Sequence, residues 1–128
     1  MVFRYAERKD TALILRFIKE LAAYEKLLDE VVADEKTLEE WLFDRQKAEV
    51  VFLMEGGGEV GFALFFHNFS TFLGRAGIAV GRGCGRLEWW CLDWNKPSIG
   101  FYLSLGAEPM TDWTVYRISG DTLKELAE

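Results

Sequence analysis

Between Trp94 and Ala107 the sequence spells out a short helix with both of its ends marked. Trp94-Asn95-Lys96-Pro97-Ser98-Ile99-Gly100-Phe101-Tyr102 reads as the end of a strand, a polar turn and a helix start, and Leu105-Gly106-Ala107 as the close. Proline suits the first helical turn because the N–H it lacks has no intrahelical partner there, and glycine suits the left-handed residue that follows a helix. Ile99, Tyr102 and Leu105 fall on one face, so packing is expected to hold the Tyr102 phenol near the Asn95 turn. Taken alone, such a tyrosine is most simply a half-buried core residue. Its neighbourhood gives it chemical weight.

The rest of the chain supplies a setting for that helix. Residues 2–7 read as a first strand. Asp10 can cap a helix running to about Leu28, with Leu13, Ile14, Phe17, Ile18, Leu21 and Ala22 as its apolar stripe. Asp34 opens a second helix, with Leu38, Trp41 and Leu42 turned inward. Residues 48–55 and 59–66 are strongly apolar strands joined by Gly56-Gly57-Gly58, a hairpin signal. No helix follows that glycine triplet, so a phosphate loop is not expected there. Residues 86–92 and 112–118 read as further strands, and an amphipathic segment ends the chain. The elements alternate, as in an α/β domain with an early antiparallel hairpin and a late strand–helix–strand unit. One domain spanning residues 1–128 is expected.

Composition narrows the functional classes. Half of the 128 residues are hydrophobic and 15% are aromatic, enough for a well-filled core. The net charge is −6 with scattered basic residues, which argues against nucleic acid as a partner. An acidic surface favours approach of a cationic small molecule. The run Met1-Val2-Phe3-Arg4-Tyr5-Ala6-Glu7 carries charges unlike a secretory leader, and no apolar run reaches membrane-spanning length, so a cytoplasmic protein is expected. His67 is the sole histidine, and Cys84 and Cys91 have no metal-ligand partners, so neither a metal site nor a histidine triad is expected. Gly81-Arg82-Gly83-Cys84-Gly85-Arg86 lacks the spacing of a nucleotide motif and reads as a turn.

Asn-x-x-Ser-x-x-x-Tyr before a Leu-Gly-Ala ending resembles the acetyl-CoA-side helix of the GNAT superfamily of N-acetyltransferases. Phe17 to Leu27, Val60 to Phe66, Ser70 to Arg75, Gly83 to Ala107 and Asp112-Trp113 resemble its diamine (spermidine/spermine-type) and thialysine branch. The resemblance implies a mixed, largely antiparallel twisted sheet flanked by helices, and acetyl transfer from acetyl-CoA, with no metal, to a primary amine of a polyamine or lysine-like amino acid. It implies that Tyr102 protonates the departing thiolate, since a phenol still carries its proton at neutral pH. Asn95 would hydrogen-bond the pantetheine arm, with Ser98 on the same helix start. Glu25 and Trp113 would line the acceptor pocket, a carboxylate for an ammonium and an indole face for cation–π contact. A homodimer is implied as well.

The sequence also departs from that family. After Leu73-Gly74-Arg75 it passes directly to Ala76-Gly77-Ile78-Ala79-Val80, where the family has a fourth strand, a pyrophosphate loop and most of a helix. The loop's pattern, Arg/Gln-x-x-Gly-x-Gly/Ala, occurs nowhere in the 128 residues. A break in the chain between Arg75 and Ala76 is therefore expected. The alternative reading of function is a non-catalytic binding domain on the same scaffold, which the missing loop favours.

Overall fold

Gly56 and Gly57 have φ of +58° and +80°. Positive φ at both central residues defines the type I′ turn, whose twist matches that of the strands it joins. The turn connects β2 (Glu49–Glu55) to β3 (Gly58–Phe65), so the expected hairpin forms. β1 (Val2–Tyr5) pairs antiparallel with the other edge of β2, giving a three-stranded sheet of order β1-β2-β3. The computed structural model describes residues 2–70, 75–77 and 86–127; for Phe69, Ser70 and 75–77 it describes the backbone alone. The chain divides into two compact units, Met1–Trp90 and Cys91–Glu128.

In the first unit α1 (Thr11–Tyr24) packs its stripe on one sheet face. Ile14 and Phe52 are fully buried, with Val50 and Leu42 beside them, and Phe17 stacks on the Phe62 ring at 5.4 Å. Leu21 falls outside the stripe and is exposed. The helix stops at Tyr24, short of the expected Leu28, because Lys26 adopts φ +60°. The Lys26 N–H then donates to the Ala23 carbonyl at 3.1 Å and the Leu27 N–H to the Ala22 carbonyl at 2.8 Å. These two bonds make a Schellman closure with a lysine where glycine is usual.

Asp10 stands at the head of α1, but its carboxylate is not spent on the helix. It accepts from the Arg4 guanidinium at 2.8 and 3.0 Å and from the Glu7 N–H at 2.7 Å. Arg4 also donates to Glu59 at 2.6 Å and lies over the Phe52 ring, 4.8 Å from its centroid. A one-residue shift in the β2–β3 register makes that possible: Leu53 pairs with Gly61 but Met54 pairs with Glu59, leaving Val60 bulged. Opposite residues in a sheet point to the same face, so the bulge turns Glu59 onto the side that carries Phe52 and Arg4.

Asp34 caps α2 (Glu35–Glu39) as expected, accepting from the Thr37 N–H at 2.7 Å. The helix continues as a π-helical turn, Glu40–Asp44. That wider turn changes the helical phase. Leu42 is buried and Leu38 packs on the core, but Trp41 is exposed, contrary to its expected inward position, with Arg45 4.7 Å from its ring.

After β3, β4 (Asn68–Ser70) and β5 (Arg75–Gly77) form a small hairpin of their own. The expected break between Arg75 and Ala76 does not exist. The two are consecutive in β5, paired with Ser70 and Phe69. Residues 86–90 at the end of this unit are irregular.

The second unit holds α3 (Lys96–Ser104) and α4 (Gly120–Ala127). Residues 91–92 continue the irregular run and 112–118 form no strand, contrary to expectation, although the segments are apolar. A strand exists only through pairing, and among the described residues neither segment has a ladder partner. The final segment is the amphipathic helix α4. No described helix is long and apolar enough to cross a membrane.

Candidate active site

The residues that carry the sequence signature stand on α3. Asn95 is buried and occupies the N-cap, its side-chain oxygen accepting from the Ser98 N–H at 3.4 Å. Its backbone carbonyl accepts the first helical bond, from the Ile99 N–H at 3.0 Å. Pro97 lies in the first turn, where no N–H is missed. At the far end Gly106 takes φ +86°. The Gly106 N–H donates to the Leu103 carbonyl at 3.0 Å and the Ala107 N–H to the Tyr102 carbonyl at 3.1 Å. This second Schellman closure anchors the backbone of Tyr102 itself.

The Tyr102 side chain is half-buried, with its ring against Phe101 at 5.9 Å and an interplanar angle of 56°. Ser98 and Ile99 are half-buried on the same helix. The structure therefore brings Asn95, Ser98 and Tyr102 together on one helix closed at both ends, with the phenol the one proton donor of acid–base type among these three side chains.

The two expected acceptor residues belong to different units. Glu25, half-buried, is the C-cap of α1, its N–H donating to the Leu21 carbonyl at 2.9 Å. Trp113 follows a turn in the second unit, its N–H donating to the Met110 carbonyl at 3.3 Å, and its side chain is exposed. His67 is exposed just after β3, and the half-buried Cys91 thiol donates to the Leu92 carbonyl at 3.6 Å. Cys84 and the run 81–85 lie outside the described residues. Among the described residues no group of His, Cys, Asp and Glu is arranged to hold a metal ion.

The reading of the sequence missed the Arg4–Asp10–Glu59 cluster. Its one legible sign is Arg4 itself, a charge between Phe3 and Tyr5 in an otherwise apolar strand, which asks for a carboxylate on the same face. The bonds from Arg4 hold both Asp10 and Glu59 below the usual carboxylate range.

No family model matches the chain. Its fold is that of acetyltransferases: a solved structure described as a probable acetyltransferase superposes with a TM-score of 0.71 at 10% identity, covering 93% of this chain and 97% of the other. An integron cassette protein from the mobile metagenome of V. cholerae superposes with a TM-score of 0.75 at 21% identity, covering 99% and 97%. At those identities the likeness is one of fold. The sequence is 30% identical to the thialysine N-epsilon-acetyltransferase of Bos taurus over 165 residues, which takes in 99% of this chain and 97% of the relative. The chain belongs to the GNAT superfamily of acetyl-transferring enzymes, close to its thialysine and polyamine acetyltransferases. Because the chain has 128 residues, the 165-residue alignment spans residues of the relative that have no counterpart here.

Proposed function

We propose that this protein transfers an acetyl group from the thioester of acetyl-CoA to a primary amine of a small cationic acceptor, a lysine-like amino acid or a polyamine. The observation that carries the reading is the Asn95–Tyr102 helix, which carries a half-buried phenol about two turns from a buried capping asparagine. The amine nitrogen attacks the acetyl carbonyl carbon, the carbon–sulfur bond breaks, and the thiolate takes the Tyr102 proton. The acceptor ammonium gives up one proton to solvent before its nitrogen attacks and a second as the amide forms, and the phenolate regains its proton from solvent. In this reading Asn95 hydrogen-bonds the pantetheine arm, with Ser98 on the same helix start. Glu25 supplies negative charge for the acceptor ammonium and Trp113 an aromatic face for it. The surplus of carboxylates in the sequence suits such a cation.

The test is an acetylation screen of the full chain with acetyl-CoA over lysine analogues, polyamines and aminoglycosides, following free thiol and acetylated amine together. Equal release of both with lysine analogues or polyamines is the expected result. Thiol release without acetylated amine, or no turnover with any amine, would overturn the reading.

A further inference from the structure

Tyr102 is the third residue from the end of α3, a helix of nine residues. That is a poor place to keep a side chain still. Helices this short are marginal on their own, and the last turn frays because its carbonyls have no partners further along. Gly100, two residues earlier and also within α3, weakens the interior, since glycine gives up more backbone freedom on entering a helix than any other residue.

The backbone just past the helix offsets that weakness. The Tyr102 carbonyl accepts two bonds, from the Leu105 N–H and from the Ala107 N–H, both at 3.1 Å. The first is a tightening of the last turn. The second forms because Gly106 turns the chain back on itself at φ +86°. Lys26 closes α1 at φ +60°, within the narrow left-handed range open to residues with a side chain, whereas +86° lies outside it. A Cβ at 106 would meet no atom within 4 Å beyond its chain neighbours, so the glycine is not there to make room. Its backbone conformation is what the fold uses.

We propose that Gly106 is a positioning residue for acetyl transfer: its left-handed turn holds the backbone of Tyr102, and with it the direction in which the phenol meets the departing thiolate. A helical side chain leans toward the N-terminus of its helix, so that direction follows the backbone at residue 102. The proposal rests on the acetyl-transfer reading above for the proton, and on the α3 closure for its placement.

The test uses two substitutions at residue 106 of the full chain. Gly106→Val puts a β-branched residue at a φ that such residues do not adopt, whereas Asn in Gly106→Asn still enters the left-handed region. Turnover of Gly106→Val is expected to fall at least about tenfold, and that of Gly106→Asn by no more than about threefold. KM for acetyl-CoA should hold, since Asn95 and Ser98 lie at the other end of the helix. In a Tyr102→Phe background Gly106→Val should change turnover by less than about twofold, because it acts through a phenol that is no longer there. Full turnover in Gly106→Val, or losses that multiply in the double variant, overturn the proposal and leave acetyl transfer standing. NMR of ring-labelled tyrosine reads the placement without turnover. The signal that Tyr102→Phe removes should shift or broaden in Gly106→Val and stay in place in Gly106→Asn; an unmoved signal in Gly106→Val overturns the proposal. Without turnover in the unaltered chain acetyl transfer falls, and the ring signal alone decides whether Gly106 sets the phenol.

Discussion

Arg4 and Glu59 lie 55 residues apart in sequence and meet at 2.6 Å because the bulge at Val60 turns Glu59 to the helix side of the sheet. The same guanidinium holds both oxygens of Asp10, whose side chain is only 9% exposed against 26% for Glu59. The two carboxylates therefore depend on Arg4 unequally. Removing one partner of a well-buried pair strands a charge, whereas an ion pair nearer to solvent contributes little.

Arg4→Met is accordingly expected to cost about 2–3 kcal/mol of unfolding free energy, chiefly through the stranded Asp10 carboxylate. Glu59→Gln is expected to cost less than about 1 kcal/mol. Urea denaturation of both variants checks the asymmetry, and equal losses would contradict it.

Acid should weaken the fold through the same cluster. Asp10 and Glu59 both titrate below their usual values, in each case chiefly through hydrogen bonds from Arg4. A carboxylate depressed in the folded state adds stability that is fully present above its unfolded value and lost as pH falls through its folded one. The urea midpoint is therefore expected to hold steady down to about pH 4–5 and to fall below that. In Arg4→Met the fall in that acid window should be markedly shallower, since the groups no longer titrate lower in the folded state.

Lys26 occupies the left-handed position that ends α1. A side chain there is strained and glycine is not, so Lys26→Gly is expected to raise stability by about 0.5–1 kcal/mol. Thermal unfolding would show a higher midpoint, and a lower one would mean that the Lys26 side chain contributes more than its backbone strain costs.

Tyr102→Phe removes one hydroxyl from a helix whose ends are closed by other groups. Turnover with the preferred amine is expected to fall about a hundredfold, the usual scale for losing a general acid, with the unfolding midpoint almost unchanged. Retained turnover would take the phenol out of the reaction.

Local chemistry was legible in this sequence where it was self-sufficient. The Gly56-Gly57-Gly58 turn, the Asp34 cap and the helix from Asn95 to Gly106 each follow from a few adjacent residues, and each is observed. What depended on distant partners was not legible. The apolar runs at 86–92 and 112–118 look like strands, but alternation cannot supply the neighbour that a strand must pair with. Lys26 ends α1 in a conformation that its residue type does not advertise, and the π-helical turn at Glu40–Asp44 moved Trp41 outward through one extra residue in the turn. The Arg75–Ala76 join resembles a break because related chains carry further residues there; the backbone passes through it as strand. For the candidate site, the α3 residues could be read because they lie within one helix, whereas Glu25 and Trp113 are separated by most of the chain.

The two closures of α3 have a consequence for how a shortened protein of this kind is recognised. Every hydrogen bond that defines the shape of that helix, from the Asn95 cap to the Ala107 closure, is made within thirteen consecutive residues. Such a segment is portable: chain can be lost upstream without erasing its form, because nothing upstream is needed to bend it into place. The signature that places this chain among its relatives therefore travels with one short helix, whatever becomes of the residues before it.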